Sequence, residues 1–224
     1  MQHRSDRSGR LRLGPPRTAR GWILLINVVL FVLQQAQVGF RPVRLDDGYL
    51  APMLGLASGD LAGAGIWHLL TYQFVHYNLL HISVNLALIW IAGRRVQRFL
   101  GGGHLVAIYL LGGVAGALLH ALGRTFVGDG YYLCGASAPM VALLVAYAIL
   151  FPTERPMAVL SQVFPSAPTV RNIALGFVVV EALAGLLDLF LSRMGYQVGF
   201  LGFYIHKVGH FAHLGGALAG YLYM

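Results

Sequence analysis

Four polar residues in this sequence have the chemistry that acyl transfer requires: Ser137, His81, Asn85 and His213. A serine hydroxyl is a weak nucleophile until a neighbouring base accepts its proton, and an imidazole is a common base. The oxyanion that forms after attack needs preorganised donors, which histidine and asparagine side chains or backbone amides provide. All four residues lie in apolar sequence, where a polar side chain is costly and needs a reason.

The serine lies in the segment CGASAPM, residues 134–140, between two apolar stretches. Proline is tolerated in the first turn of a helix, so Pro139 predicts a helix that begins just before it. Ser137 would then lie where first-turn N–H groups have no partner within the helix. A serine in a membrane helix, taken alone, more often bonds its own backbone. Its neighbours must therefore decide the interpretation.

The elements that must position these residues are membrane helices. Of the 224 residues, 57% are hydrophobic and 11% are charged, whereas a soluble domain has about 25% charged residues. Several apolar stretches each approach the roughly 20 residues that a membrane-spanning helix needs. We predict an all-α polytopic membrane protein, a bundle of six transmembrane helices at residues 22–39, 77–93, 104–122, 133–151, 173–191 and 206–224.

Lysine and arginine predict the orientation, because cytoplasmic loops carry an excess of them. With both termini in the cytoplasm, that side carries most of the 16 positive residues: Arg4, Arg7, Arg10, Arg12, Arg17, Arg20, Arg94, Arg95, Arg98, Arg155 and Arg171. We predict a disordered basic arm at residues 1–21 and a membrane domain at residues 22–224, in the plasma or inner membrane. Topology and attraction to anionic lipids explain the arm's charge, so no nucleic-acid partner is predicted.

In this topology the second, fourth and sixth spans all run inward from the outer membrane face. His81, Ser137 and His213 then lie about four to eight residues below that face, a shared depth of roughly 6–12 Å. His81 and Asn85 are four residues apart, so they share one helix face. Glycines near His213, at Gly216 and its neighbours, permit close helix approach. The sequence therefore predicts one site that faces the outer side.

The chain resembles the rhomboid family of intramembrane serine proteases over roughly residues 22–224. The resemblance is carried by several motifs in order along the chain: Trp67, LT..F.H at residues 70–76, H...N at residues 81–85, GAS at residues 135–137 and AHLGGALAG at residues 212–220. Each motif is weak alone. Their joint occurrence on the second, fourth and sixth spans is specific.

The resemblance implies a role for each matching residue. Ser137 is similar to the family's nucleophile and His213 to its general base, in a dyad without a carboxylate. The oxyanion-binding positions would be His81, Asn85 and Gly135, and the supporting positions would be His76, Gly216, Gly220 and Trp67. The resemblance further implies transmembrane protein substrates, contact with the lipid bilayer, and no metal or organic cofactor.

The sequence departs from the family pattern at four places. Ala138 follows the serine where glycine is common, and Val141 stands where an aromatic residue often packs on the base. The Trp-Arg pair of the first external loop reads Trp67-His68, and an expected acidic residue after the second span is Gln97. The last two departures concern loop and helix-end stability more than chemistry.

Two other functions stay open from the residues alone. A rhomboid-like protein without activity could bind transmembrane segments. A membrane protein could instead hold haem or a metal ion through the helical stripe of His206, His210 and His213. Glu181, in the middle of the fifth span, has no partner identifiable from sequence, and a structural role and a proton pathway are equally open for it.

Overall fold

The computed structural model describes residues 17–39, 48–57, 60–63, 65–126, 132–156, 167–196, 199–200, 203–204 and 209–224. The helices in these ranges are α1 (Ala19–Val38), α2 (Leu50–Leu54), α3 (His68–Thr71), α4 (Leu79–Leu100), α5 (Gly102–Thr125), α6 (Ser137–Leu150), α7 (Val170–Arg193) and α8 (His210–Tyr223). Two antiparallel strand pairs are β1 (Leu56–Ala57) with β2 (Tyr132–Leu133), and β3 (Gly199–Phe200) with β4 (Phe203–Tyr204). The predicted all-α class is confirmed.

Some predicted features lie outside the described residues. They are most of the basic arm (residues 1–16), residues 40–47 of the first external loop, and His206 of the histidine stripe. The first membrane helix begins at Ala19, three residues before the predicted boundary at 22. Thr18 is its N-cap, and the Thr18 hydroxyl accepts a hydrogen bond from the Gly21 amide at 3.1 Å.

Four helices in the described part of the chain are long and apolar enough to cross a membrane: α1, α4, α5 and α7. The predicted fourth and sixth spans are shorter than expected, because α6 and α8 have 14 residues each. At 1.5 Å per residue each is about 21 Å long, and the hydrocarbon core is about 30 Å thick. If the last residue of α6 reaches one membrane face, its first residue lies about 9 Å below the other.

Local sequence explains both ends of α6. The residues before it are extended, since β2 pairs with β1, and Gly135 turns the chain with a φ of 111°. Such a φ is open to glycine and strained for other residues. The helix ends at Leu150, before Pro152, and a residue that precedes proline disfavours the helical conformation.

Helix α6 is the centre of the bundle, packed between α4, α5, α7 and α8. It is apolar on every side, and its buried residues include Val141, Ala142, Leu143 and Ala146, all fully buried. Such a helix has no polar face to show to water, which is typical of a helix enclosed by others. The serine at its first residue is therefore held by a helix that four other helices enclose.

Candidate active site

Ser137 and His213 are in direct contact. The Ser137 hydroxyl oxygen lies 2.8 Å from Nε2 of His213, a normal hydrogen-bond distance. Ser137 is the first residue of α6, and His213 is in the first turn of α8. The two residues thus meet where two short helices begin, which is nearer to the helix ends than the sequence predicted.

Glycines bring α8 close enough to α6 for this contact. A Cβ atom on Gly216 would lie 2.2 Å from the Ala138 carbonyl oxygen, and one on Gly220 would lie 2.4 Å from the Ala142 carbonyl oxygen. Real Cβ atoms do not approach backbone that closely, so both positions require glycine. The prediction that Gly216 and Gly220 pack against the fourth span agrees with this geometry.

The alanine after the serine, a departure from the family pattern, fits because of a glycine on α5. A Cβ on Gly116 would lie 2.5 Å from the Ala138 methyl group. The missing side chain of Gly116 leaves the volume that the Ala138 methyl occupies, and Ala138 is almost fully buried. The methyl group is therefore accommodated by α5, while Gly216 of α8 packs against the Ala138 backbone.

His81 lies against the turn that precedes Ser137. A Cβ on Gly135 would be 2.5 Å from Cε1 of the His81 ring and 2.6 Å from Nε2. Asn78 fixes where α4 begins, because its side chain accepts a hydrogen bond from the His81 amide at 2.8 Å. Gly135 therefore suits this position for two reasons. Its φ is positive, and a side chain there would overlap the His81 ring.

The expected oxyanion role of Gly135 needs a correction. Its amide donates a hydrogen bond to the Tyr72 carbonyl oxygen at 3.0 Å, so it is not free to bind an oxyanion. The Ala136 amide is likewise engaged, because it donates to Nε2 of His76 at 3.3 Å. The Ser137 amide has no partner among the described residues, so it is a donor that remains open in this turn.

His76 supports the turn through its ring. Its ring accepts the Ala136 hydrogen bond, stands 5.2 Å from the His81 ring between centroids, and is fully buried. Gln34 of α1 holds its backbone, since the Gln34 amide nitrogen donates to the His76 carbonyl oxygen at 2.8 Å and Oε1 accepts from the His76 amide at 3.2 Å. Sequence reasoning missed Gln34, although a glutamine in an apolar span is a signal.

Asn85 is buried on α4, one turn after His81, with 2% of its surface exposed. Its Nδ2 group has no hydrogen-bond partner in the described part of the chain. A buried donor without a partner is destabilising by about 1–3 kcal/mol. Such a donor is a candidate for a ligand that arrives only during a reaction.

Trp67 and His68 organise the first external loop rather than the chemistry. Trp67 is half exposed, and its ring packs edge-on against the His68 ring at 5.1 Å. Nδ1 of His68 lies 2.8 Å from the Asp60 carboxylate, and Nε2 lies 2.9 Å from the Met53 carbonyl oxygen. The two ring nitrogens of His68 thus join two separate parts of the loop.

Gln97 stabilises a helix end at the opposite side of the membrane. Its side-chain oxygen accepts a hydrogen bond from the Arg20 amide at 2.8 Å, which ties α4 to the first turn of α1. The Arg20 guanidinium in turn stacks over the Trp90 ring at 4.0 Å. A neutral amide can accept this bond as a carboxylate would, so the departure at Gln97 leaves the contact in place.

Two residues of α7 complete the surroundings of His213. Phe177 stands 5.7 Å from the His213 ring between centroids, and it supplies the aromatic contact that Val141 does not. Oε2 of Glu181 lies 3.0 Å from Nδ1 of His213 and 2.7 Å from Nδ1 of His210. The sequence predicted no carboxylate beside the serine–histidine pair, and the structure places that of Glu181 there. Phe177 and Glu181 are four residues apart, the spacing that places both on one helix face.

The described part of the histidine stripe does not form a metal centre. Nδ1 of His210 contacts Glu181, and Nε2 of His213 contacts Ser137. No group of three or more histidine, cysteine or acidic side chains is placed to hold a metal ion within the ranges given above. His206, the third member of the stripe, lies outside them.

Comparison with known proteins gives one consistent result. The family model described as Rhomboid domain matches residues 63–224. The chain is 25% identical over 155 residues to "Rhomboid protease GluP" of Bacillus subtilis. The aligned region covers 69% of this chain and 25% of that protein.

Two further relatives agree with that match. The chain is 29% identical over 152 residues to "Presenilin-associated rhomboid-like protein A, mitochondrial" of Danio rerio, covering 68% of this chain and 35% of that protein. It is 29% identical over 87 residues to "Rhomboid protease GlpG" of Salmonella choleraesuis, and that region covers 39% of this chain and 29% of that protein. The chain thus spans about a third or less of the length of these relatives.

Proposed function

This chain belongs to the rhomboid family, and from that membership we propose that it is a serine endopeptidase that hydrolyses peptide bonds in or near the transmembrane segments of membrane proteins. The observation that supports the proposal most strongly is the 2.8 Å contact between the Ser137 hydroxyl and Nε2 of His213. A nucleophile within hydrogen-bond reach of its base is the geometric requirement for covalent catalysis.

The proposed reaction has two halves. Nε2 of His213 takes the Ser137 proton while the serine oxygen bonds to the scissile carbonyl carbon. The tetrahedral intermediate collapses, the carbon–nitrogen bond breaks, and Nε2 returns the proton to the leaving amine. Water then attacks the acyl-enzyme with the same histidine as base, and Ser137 leaves with a proton.

The oxyanion would be bound at the turn between β2 and α6. The Ser137 amide, the Asn85 side chain and the His81 ring are the proposed donors, and Gly135 contributes the space for His81. No side chain caps the start of α6, so the partial positive charge of its first turn also favours the oxyanion.

The proposed substrate follows from where the serine lies. If α6 ends at the cytoplasmic membrane face, its 14 residues leave Ser137 below the outer face, where a transmembrane segment is the polypeptide within reach. A helical segment must unwind locally before its carbonyl can be attacked, because helical carbonyls are already hydrogen-bonded. We place the N-terminus in the cytoplasm and the site on the outer side of a plasma or inner membrane, because of the arginine distribution.

Covalent labelling of detergent-solubilised protein by a fluorophosphonate probe tests the proposal. Wild type should be labelled, while Ser137→Ala and His213→Ala should not, since one lacks the nucleophile and the other its base. Ser83→Ala, which alters an exposed serine of α4, is the matched control and should be labelled like wild type. Equal labelling of the Ser137→Ala variant would refute the nucleophile. A folded wild type without labelling would favour an inactive protein that binds transmembrane segments.

Replacing Asn85 with leucine is expected to separate activity from stability. The rate of substrate cleavage should fall about 100-fold, the usual effect of losing one oxyanion donor. The thermal midpoint in detergent should stay the same or rise, because a buried donor without a partner is removed.

Asn27→Leu is the control, and we expect it to lower stability without lowering activity. Asn27 is equally buried, but its Nδ2 group donates to the Ile23 carbonyl oxygen at 2.8 Å and contacts the Tyr109 hydroxyl at 3.3 Å. That variant should lose stability and keep its activity per folded molecule. Asn85→Leu with wild-type turnover would remove Asn85 from the oxyanion site.

A further inference from the structure

A carboxylate lies on the side of His213 that faces away from Ser137. Glu181 is in the middle of α7, with 8% of its surface exposed. Its Oε2 atom lies 3.0 Å from Nδ1 of His213, while Nε2 of the same ring contacts Ser137 at 2.8 Å. The order of groups is therefore hydroxyl, imidazole, carboxylate, along one line of contacts from α6 through α8 to α7.

The chemistry of the imidazole makes this arrangement informative. Nε2 can accept the serine proton only if the neutral ring carries its own proton on Nδ1. In this structure that N–H group faces Glu181, and it has no aligned hydrogen bond with any described residue. The 3.0 Å separation is an ion-pair distance, and a small rotation of the ring would align the N–H group with the carboxylate oxygen.

We infer that Glu181 is a positioning residue for His213, so that the hydrolytic site is a Ser137–His213–Glu181 triad. The inference rests on the proposed function, because it concerns the base of that reaction. Glu181 keeps the proton of the ring on Nδ1 and leaves the Nε2 lone pair toward Ser137. When Nε2 takes the serine proton, an imidazolium forms beside an ionised carboxylate. Glu181 itself gains no proton at any step, and the proton passes from Nε2 to the leaving amine.

The neighbours of Glu181 hold it in this place. Nδ1 of His210 donates to the same Oε2 atom at 2.7 Å, which fixes the carboxylate from one side. A Cβ on Gly185 would lie 3.3 Å from the His210 Cβ, so that glycine lets α7 and α8 approach. Phe177, one turn before Glu181, packs on the His213 ring. One face of α7 therefore contacts both histidines.

A different interpretation is that Glu181 serves only the packing of α7 against α8 through His210. Charge and shape separate the two interpretations. Glu181→Gln keeps the shape and removes the charge, whereas Glu181→Asp keeps the charge and shortens the side chain. A packing residue should tolerate glutamine better than aspartate, and a residue that supports an imidazolium should tolerate aspartate better than glutamine.

The test is the rate of fluorophosphonate labelling of Ser137 in isolated membranes, together with kcat and KM for a transmembrane substrate. The rate constant of labelling does not depend on the amount of folded protein, so a poorly accumulating variant still gives a result. For Glu181→Gln we expect kcat and the labelling rate to fall about 100-fold with KM changed less than about threefold. For Glu181→Asp we expect at least a tenth of the wild-type rate.

Asp188→Asn is the matched control, since it makes the same acid-to-amide change on the same helix. Asp188 is buried and lies 3.2 Å from Nη1 of Arg124, on α5, rather than beside the two histidines. It should lower the thermal midpoint and leave the labelling rate per folded molecule within about threefold. A Glu181→Gln variant as fast as wild type, or slowed no more than Asp188→Asn, would overturn the triad while leaving Ser137 and His213 in place. Failure of the proposed function is distinguishable, because Ser137→Ala would then label like wild type.

Discussion

Replacing His213 with alanine should lower the rate of transmembrane-substrate cleavage by about a thousandfold or more. The reason is that the 2.8 Å contact from Nε2 to the Ser137 hydroxyl is the one contact that supplies this serine with a base in the described structure. General base catalysis accelerates a reaction by about 10²–10⁴-fold, and the effects of losing a nucleophile and its base are not additive. The measurement is kcat with a purified model substrate in detergent or reconstituted vesicles.

His104→Ala is the control for the loss of an imidazole. His104 is near the start of α5, and its Nδ1 atom contacts the hydroxyl of Tyr223, the last residue of α8, at 2.8 Å. Neither residue belongs to the serine turn. This variant should keep its activity. The assignment of His213 as base would be contradicted by a His213→Ala variant that retains more than about a tenth of wild-type kcat.

Replacing Gly216 with alanine should destabilise the protein strongly and lower its activity. The added Cβ would lie 2.2 Å from the Ala138 carbonyl oxygen, and backbone cannot yield as a flexible side chain does. We expect destabilisation of about 3 kcal/mol and a loss of activity of about 100-fold, because α8 must move away from α6 and a 1 Å displacement of a base can have that effect.

Gly176→Ala is the control for the glycine change itself. Gly176 lies within α7, and a Cβ there would meet no atom within 4 Å. Alanine is the better helix former by roughly 0.5–1 kcal/mol, so this variant should be as stable as wild type or more stable. The measurement is the thermal midpoint of both variants in one detergent, with cleavage assayed in parallel. A Gly216→Ala variant with a wild-type midpoint would show that the helix contact is looser than the structure has it.

The departures from the family motifs show how a local pattern can be satisfied from elsewhere in the fold. Val141 removes an aromatic residue from α6, and Phe177 of α7 stands over the His213 ring instead. Ala138 adds a methyl group, and Gly116 of α5 leaves the volume for it. Each compensation comes from a helix distant in sequence, so neither could be read from the motif itself.

The membrane character and the order of the motif-bearing helices could be predicted from the sequence. Apolar composition and the length of the hydrophobic runs are properties of the chain alone, because the bilayer acts on each segment separately. The predicted polytopic helical membrane fold is borne out by the family match over residues 63–224. The lengths of α6 and α8 were overestimated. For α6 the reason is that hydropathy does not detect the strand pairing and the turn at Gly135, which delay the start of the helix.

The sequence by itself determined which residue types could perform the chemistry and that each belongs to an apolar helix. Only the tertiary structure decided which groups touch: Ser137 with His213, the Gly135 amide with Tyr72, and Glu181 with two histidines. The physical reason is that hydropathy and periodicity act along one segment. Contacts between helices depend on the depth, rotation and closeness of separate segments, and here glycine and alanine packing fixes all three.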